Sequence, residues 1–177
     1  GVMSEGYGIA LSGGGALGSA HLGVLKRLEE VDVGYTHIAG TSIGALVGAL
    51  AAFGWRADSI ADELRELSWF DVSRLTASPL GALRNDPLGT TVKDALGDAR
   101  IEDADTPLTI VATDIASGEV VYLREGSVAQ AVMASACLPG AYVPVTWEER
   151  LVDEGALADN VPVRAALEGG ADRVIAV

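Results

Sequence analysis

Two glycine-framed turns and a set of carboxylates carry the chemistry that this chain could do. Gly40-Thr41-Ser42-Ile43-Gly44 is a Gly-x-Ser-x-Gly sequence. The glycines let the backbone turn sharply, so that a serine hydroxyl can stand exposed in a strained turn. Ser42 would also open a helix, where unpaired N–H groups and the macrodipole favour developing negative charge. Those are the requirements of a nucleophile. Further upstream, Gly13-x-Gly15-x-x-Gly18 offers consecutive backbone N–H donors at another helix start. Such donors suit an oxyanion, or a phosphate.

The phosphate reading needs an acid at the end of the second strand to hold a ribose. That strand ends instead in Ala39-Gly40-Thr41-Ser42. The slot that a dinucleotide enzyme would give to the ribose holds the serine, which favours an oxyanion hole beside a nucleophile.

A serine hydroxyl needs a base to take its proton. The chain has only two histidines. His21 falls one turn into the first helix, on or near its packed face, as a core or supporting residue would. His37 lies at the start of the strand before Ser42, ~16 Å away if that stretch is extended. Neither suits a Ser-His-Asp triad, so a carboxylate is expected to act directly. Asp114, Asp153, Glu154 and Asp159 all fall at strand ends or just beyond. Asp114 precedes a hairpin turn, where an acid is often a turn cap. Asp153-Glu154-Gly155-Ala156 is the better candidate, because glycine and alanine after the acid permit close approach of another backbone.

The elements that must position these residues follow from periodicity. Tyr7–Leu11 reads as a buried strand that runs into the glycine loop. A helix follows with Ala20, Leu22, Val24, Leu25 and Leu28 at helical spacing. Residues 36–39 form the second strand before the Ser42 turn and an alanine-rich helix. Strand, glycine loop, helix and strand open a parallel βαβ unit, with both loops at the carboxyl ends of adjacent strands. Residues 57–67 form an amphipathic helix, and 90–96 a short one. Between them, residues 68–87 lose periodicity and scatter Trp69, Phe70, Leu75 and Leu80, as a cap or lid would.

Residues 107–114 form a central strand, with residues 119–123 returning antiparallel. Residues 127–136 form a helix capped by Ser127 and stopped before Pro139. Residues 150–153 are a further strand, 162–168 a short helix and 173–177 a last apolar strand. The chain ends in that strand, which leaves room for a continuation. The whole reads as a single α/β domain, a three-layer α/β/α arrangement with a mostly parallel central sheet.

Composition bounds the partners. The chain has 177 residues, 49% of them hydrophobic, and a net charge of −13 from 25 acids and 12 bases. Without a Lys/Arg cluster, no nucleic-acid partner is expected. An acidic surface repels anionic membranes, although an apolar mouth could still touch lipid transiently. The apolar runs fall short of the ~18 residues that a membrane-spanning helix needs. Cys137 is the one cysteine, so no internal disulfide forms, in keeping with a cytoplasmic setting. Its place at the end of an apolar helix segment makes it a core residue rather than a reactive thiol.

Leu11-Ser12-Gly13-Gly14-Gly15-Ala16-Leu17-Gly18 with His21-Leu22-Gly23-Val24-Leu25, then Gly40-Thr41-Ser42-Ile43-Gly44-Ala45, resembles the patatin-like phospholipase family. Ala134-Ser135-Ala136-Cys137-Leu138-Pro139 and Asp159-Asn160-Val161-Pro162-Val163 resemble its later landmarks. The resemblance implies a lipid acyl hydrolase of the phospholipase A, lysophospholipase or esterase type, acting on a fatty-acyl ester. It implies a Ser–Asp dyad, a glycine-rich oxyanion hole, and no metal or other cofactor. The donors would come from the loop carrying Gly13, Gly14, Gly15, Ala16 and Gly18, with Ile43 after the serine.

Two departures from the family pattern stand out. The family's last motif is Asp-Gly-Gly or Asp-Gly-Ala, where this chain has Asp153-Glu154-Gly155-Ala156. Counting back from Asn160 places Glu154 at the aspartate position, whereas counting forward from Leu151-Val152 places Asp153 there with one insertion. Glu154 is favoured because it directly precedes Gly155-Ala156. Its extra methylene could weaken the reaction. That leaves a non-catalytic lipid-binding protein as an alternative, beside an acyltransferase or thioesterase with the same dyad. The second departure is Leu17, where many members carry Arg or Lys. Losing that cation tilts preference away from anionic headgroups.

Overall fold

The computed structural model describes residues 6–14, 18–66, 86–114, 116–136, 145–147, 150–154 and 159–177, with the backbone alone for 66, 86–87, 145–147 and 150–154. The expected cap at residues 68–87 therefore falls almost entirely outside the described residues, as do Cys137 and Leu17.

Among the described residues seven strands form one sheet: β1 (Tyr7–Leu11), β2 (His37–Thr41), β3 (Leu108–Asp114), β4 (Val120–Leu123), β5 (Val145–Trp147), β6 (Arg150–Glu154) and β7 (Arg173–Ala176). They link in the order β5-β6-β3-β2-β1-β7, with β4 also on β3. β7, β1, β2 and β3 pair in parallel, whereas β4 and β6 pair antiparallel with β3, and β5 with β6. β2 and β3 are buried along their whole length. Burial on both faces is the signature of parallel strands covered by helices on each side.

Among the described residues six α-helices accompany them: α1 (Gly18–Glu30), α2 (Ile43–Ala52), α3 (Ala57–Glu66), α4 (Asp86–Leu96), α5 (Val128–Ser135) and α6 (Val163–Glu168). The larger core lies on the face covered by α1, α2 and α5, where Ile9, Leu11, Ile38 and Ile110 meet Leu46, Val47, Leu50 and Val132. α6 covers the opposite face through Ala165 and Ala166 against Ala39 and Val111. The layers are those the sequence leads one to expect, unequally filled.

α2 is the central helix. Nine of its ten residues are buried, and its small side chains let it lie close to the sheet. A Cβ at Gly48 would sit 3.0 Å from Ile38. The boundaries differ from expectation in a few places. α4 begins at Asp86 rather than Thr90, because Pro87 occupies the first turn, where its missing N–H costs nothing. Ala20 is exposed, and the packed face of α1 is instead Gly18, His21, Leu25 and Leu28. β5, only three residues long, was not anticipated.

Candidate active site

β2 delivers the chain into the Ser42 turn. Ser42 has φ 55° and ψ −120°, a left-handed conformation that costs a non-glycine residue ~1–3 kcal/mol and persists only where its surroundings enforce it. The flanking glycines make the turn possible. A Cβ at Gly40 would lie 2.7 Å from the Ala45 Cα, and one at Gly44 would lie 2.6 Å from the Ser12 carbonyl oxygen. The first turn of α2 is thereby pressed onto both its own strand and the end of β1.

Two hydrogen bonds hold the strained turn. The Ser42 N–H donates to Ser135 Oγ at 2.8 Å, and the same hydroxyl donates to the Val111 carbonyl at 2.5 Å. Ser135 is fully buried at the end of α5, so it joins α5, β3 and the elbow through a single oxygen. The Ser42 side chain makes no cap hydrogen bond, which leaves its hydroxyl without a structural duty at the helix start. The Ser42 carbonyl accepts from Ala45 and Leu46. By helix geometry, the preceding N–H groups of Ile43 and Gly44 have no intrahelical acceptor.

The glycine loop stands beside this elbow because β1 and β2 are adjacent and parallel, in register from Gly8–His37 to Leu11–Gly40. Ser12 donates its N–H to the Val177 carbonyl at 2.9 Å, and Gly13 donates to the Asn160 carbonyl at 3.2 Å. The Gly13 N–H is thus spent on the fold, which shifts the expected donor set toward Gly14 and beyond. Gly14 is exposed with φ 131°. Gly15 and Ala16 lie outside the described residues. Gly18 opens α1, and its Cβ position lies 3.0 Å from Ile43 Cγ1, which fixes the starts of α1 and α2 against each other.

The carboxylates separate by register. Ile110 and Val111 pair with both β2 and β4, so those strands flank β3 on opposite edges. Ala112 and Thr113 pair with both β4 and β6, so β6 lies on the β2 edge. β2 and β6 therefore meet end to end along one side of β3. Thr41 occupies the slot opposite Val111, and Glu154 the next slot, opposite Ala112. Consecutive slots are ~3.4 Å apart along a strand, so the Glu154 backbone arrives where the chain leaves β2 for Ser42. Asp153 is one slot further out, opposite Thr113.

The other acids have different employment. Asp114 Oδ1 accepts from the N–H groups of Ala116 and Ser117 at 2.9 and 3.1 Å, the turn-cap role its position suggests. The Asp159 carbonyl accepts from Thr41 Oγ1 at 3.0 Å. Burial raises the Asp159 carboxyl above the ordinary carboxylate range, partly offset by the Tyr122 hydroxyl and by Arg164.

Both histidines are committed to other partners. His21 is buried and its Nε2 bonds the Ser12 carbonyl at 2.8 Å. His37 is buried at the far end of β2, with Nε2 2.9 Å from Thr109 Oγ1. Burial, with Arg124 nearby, lowers its pKa to about 4. Among the described residues, no group of His, Cys, Asp and Glu is arranged to hold a metal ion. Of the tryptophans, Trp55 packs against the core; Trp69 and the Trp147 side chain are outside the described set.

Sequence reasoning missed Ser135, Thr41 and the Asn160 main chain as parts of the site. Ser135 left one signal: a polar residue within the small apolar run Val132–Ala136, where a buried hydroxyl must find partners.

The family model for patatin-like phospholipases matches residues 9–167. The chain belongs to the patatin-like phospholipase family. An uncharacterized NTE family protein of Mycobacterium tuberculosis is 36% identical over 180 aligned residues, which span all of this chain and 50% of that protein. The lysophospholipase NTE1 of Mycosarcoma maydis is 34% identical over 178 residues, 96% of this chain and 9% of that one. The neuropathy target esterase sws of Drosophila melanogaster is 31% identical, again over 96% of this chain and over 12% of its own length. The chain thus spans at most about half the length of these relatives.

Among solved structures, VipD from Legionella pneumophila matches with a TM-score of 0.58 at 18% identity, over 90% of this chain and 47% of that one. The type III effector protein ExoU matches with a TM-score of 0.58, also at 18% identity, over 78% and 41%. Both share the fold of this patatin-like domain. No helix among the described residues is long and apolar enough to cross a membrane.

Proposed function

We propose that this patatin-like domain is a serine-dependent lipid acyl hydrolase, a carboxylic ester hydrolase of the phospholipase A, lysophospholipase or esterase type. Ser42 is the nucleophile and Glu154 its base. The observation that carries the reading is the juxtaposition along β3: a serine in a left-handed turn follows the Thr41 slot, and the Glu154 slot comes next. The names of two relatives, a lysophospholipase and an esterase, support the same class.

The reaction is two-step acyl transfer. Glu154 takes the Ser42 proton as Oγ attacks the ester carbonyl carbon. The N–H groups of Gly14, Gly15 and Ala16, with that of Ile43, stabilise the oxyanion, where one such donor is worth ~3–4 kcal/mol. The tetrahedral intermediate collapses, and the leaving alcohol receives the proton from Glu154. Water, deprotonated by the same carboxylate, then attacks the acyl-serine and releases the fatty acid. Glu154 is preferred to Asp153 because successive strand positions occupy opposite faces. Its slot is also the one next to the elbow.

The test is hydrolysis of a p-nitrophenyl ester of a fatty acid by the wild type, Ser42→Ala, Glu154→Gln and Asp153→Asn. Ser42→Ala and Glu154→Gln should lose at least ~10³-fold in kcat, while Asp153→Asn stays within a few-fold. Loss with Asp153→Asn alone would move the base to Asp153. Wild-type turnover no faster than Ser42→Ala would refute the hydrolase and leave a lipid-binding protein on this fold.

A further inference from the structure

We infer that His21 is a positioning residue that locks the Ser12–Gly13 peptide and, through it, the orientation of the oxyanion donors. The inference rests on the hydrolase reading for its kinetic consequence, and on geometry alone for its structural one. His21 lies in the second turn of α1 and is 1% exposed. Its Nε2 is 2.8 Å from the Ser12 carbonyl oxygen. A carbonyl can only accept, so Nε2 carries the proton, and the ring is the neutral Nε2–H tautomer. Nδ1 is then a bare lone pair, buried without a partner among the described residues. Burial, which lowers the His21 pKa, favours this neutral form.

The other end of the same peptide is also held, since the Gly13 N–H donates to the Asn160 carbonyl. In a trans peptide the C=O and N–H point in opposite directions. His21 on one side and Asn160 on the other therefore define the plane. The following residue, Gly14, has φ 131°, open to glycine and closed to other residues. The direction of the peptide that follows, which carries the Gly14 N–H, depends on the plane before it. Glycine on the Gly13 side of this peptide resists its rotation poorly. Without His21, the Ser12–Gly13 unit is tied at one end only, and its neighbours lose their fixed aim.

Asn160 belongs to a segment that also ties down the nucleophile's strand, through Thr41 Oγ1 and the Asp159 carbonyl. Gly44 packs against the Ser12 carbonyl itself. Oxyanion loop and elbow are thus registered on the same few backbone atoms. Among the described residues, His21 is the side chain in these contacts that reaches the loop from α1.

The experiment compares His21→Gln, His21→Asn and His21→Leu with the wild type. A glutamine amide reaches about as far as Nε2, whereas an asparagine amide reaches only as far as Nδ1. Two readouts are taken: kcat and KM for a p-nitrophenyl ester, and amide hydrogen exchange of peptides covering residues 12–20. Oxyanion donors act in the transition state, so His21→Asn and His21→Leu should lose at least ~10-fold in kcat with KM within ~2-fold. His21→Gln should stay within ~3-fold of wild type, since it restores the donor. Relative to wild type, exchange over residues 12–20 should accelerate in the Asn and Leu variants, match wild type in Gln, and be unchanged in β3.

Wild-type-like kcat in His21→Leu would overturn the inference, as would a Gln variant no better than Leu. Faster exchange across the whole chain would also overturn it, by showing a general packing role. Should His21→Leu not fold, the Gln and Asn pair decides alone. Should the wild type turn over no faster than Ser42→Ala, the hydrolase reading fails, and the exchange pattern still decides whether His21 locks the loop.

Discussion

Replacing Ser135 by alanine tests how the elbow is held. The Ser135 hydroxyl is fully buried, accepts from the Ser42 N–H at 2.8 Å and donates to the Val111 carbonyl at 2.5 Å. Alanine removes both bonds and fills neither place. Each bond contributes ~1 kcal/mol net, and leaving a buried backbone group unpaired adds to that, up to ~1–3 kcal/mol for the group. The expected destabilisation is ~2–4 kcal/mol. The left-handed turn at Ser42 makes the loss functional as well. Its strain, ~1–3 kcal/mol, is sustained only by such contacts, and without them the residue relaxes toward an ordinary conformation. Urea unfolding read by circular dichroism gives the stability, and ester turnover gives the activity. Turnover should fall at least ~10-fold under conditions where the variant is fully folded. Ser135→Thr keeps the hydroxyl but adds a methyl group in a packed site. It should recover more activity than alanine if the bonds matter most. A stability loss below ~0.5 kcal/mol with unchanged turnover would refute the reasoning.

Three further outcomes are expected. The His37 pKa, lowered from 6.5 to about 4, means that the unfolded chain takes up this proton before the folded one. Stability therefore falls as pH drops through that window, by ~2 kcal/mol between about pH 7.5 and pH 5 from this site. Urea titrations at both pH values should show that increment in the wild type and not in His37→Gln. Equal slopes would mean that folding does not lower the His37 pKa. Gly44→Ala should cost ~3 kcal/mol or more through overlap with the Leu11 and Ser12 carbonyls, whereas Gly23→Ala, with nothing within 4 Å of its Cβ, should stabilise α1 by up to ~1 kcal/mol. Thermal unfolding of both variants checks this. Asp114→Asn keeps an acceptor for the Ala116 and Ser117 N–H groups, so esterase activity should stay within ~2-fold; a loss matching that of Glu154→Gln would make Asp114 part of the chemistry.

The parts of this molecule that were legible in its sequence are those whose local chemistry repeats. The Ser42 turn, with glycines at 40 and 44 between an apolar run and an alanine-rich segment, announces its strand–turn–helix context, and the structure has it there. β1 matches its expected bounds because a short apolar run bordered by turn residues has few other uses. Asp114 was legible as a turn cap for a similar reason. What escaped depends on distant partners. Ser135 is 93 residues from the N–H it holds. Nothing local marks the main chain of Asn160 as the acceptor for Gly13, or Thr41 as the tie to Asp159. The meeting of β2 and β6 on one edge of β3 is a matter of register, which pairing between remote strands decides. β5 is too short to show a period. The apolar face of α1 was misread at Ala20, which is exposed, whereas His21 lies on the packed face as its spacing suggests, its burial satisfied by the Ser12 carbonyl.

Covalent labelling tests most directly whether Ser42 is a nucleophile. A fluorophosphonate probe reacts when an activated serine oxygen attacks phosphorus and fluoride leaves. Intact-mass spectrometry of the wild type should show one adduct, with peptide mapping placing it on Ser42. Ser42→Ala should remain unlabelled, and Glu154→Gln should label much more slowly. An unlabelled wild type, or an adduct elsewhere that persists in Ser42→Ala, would contradict the central claim.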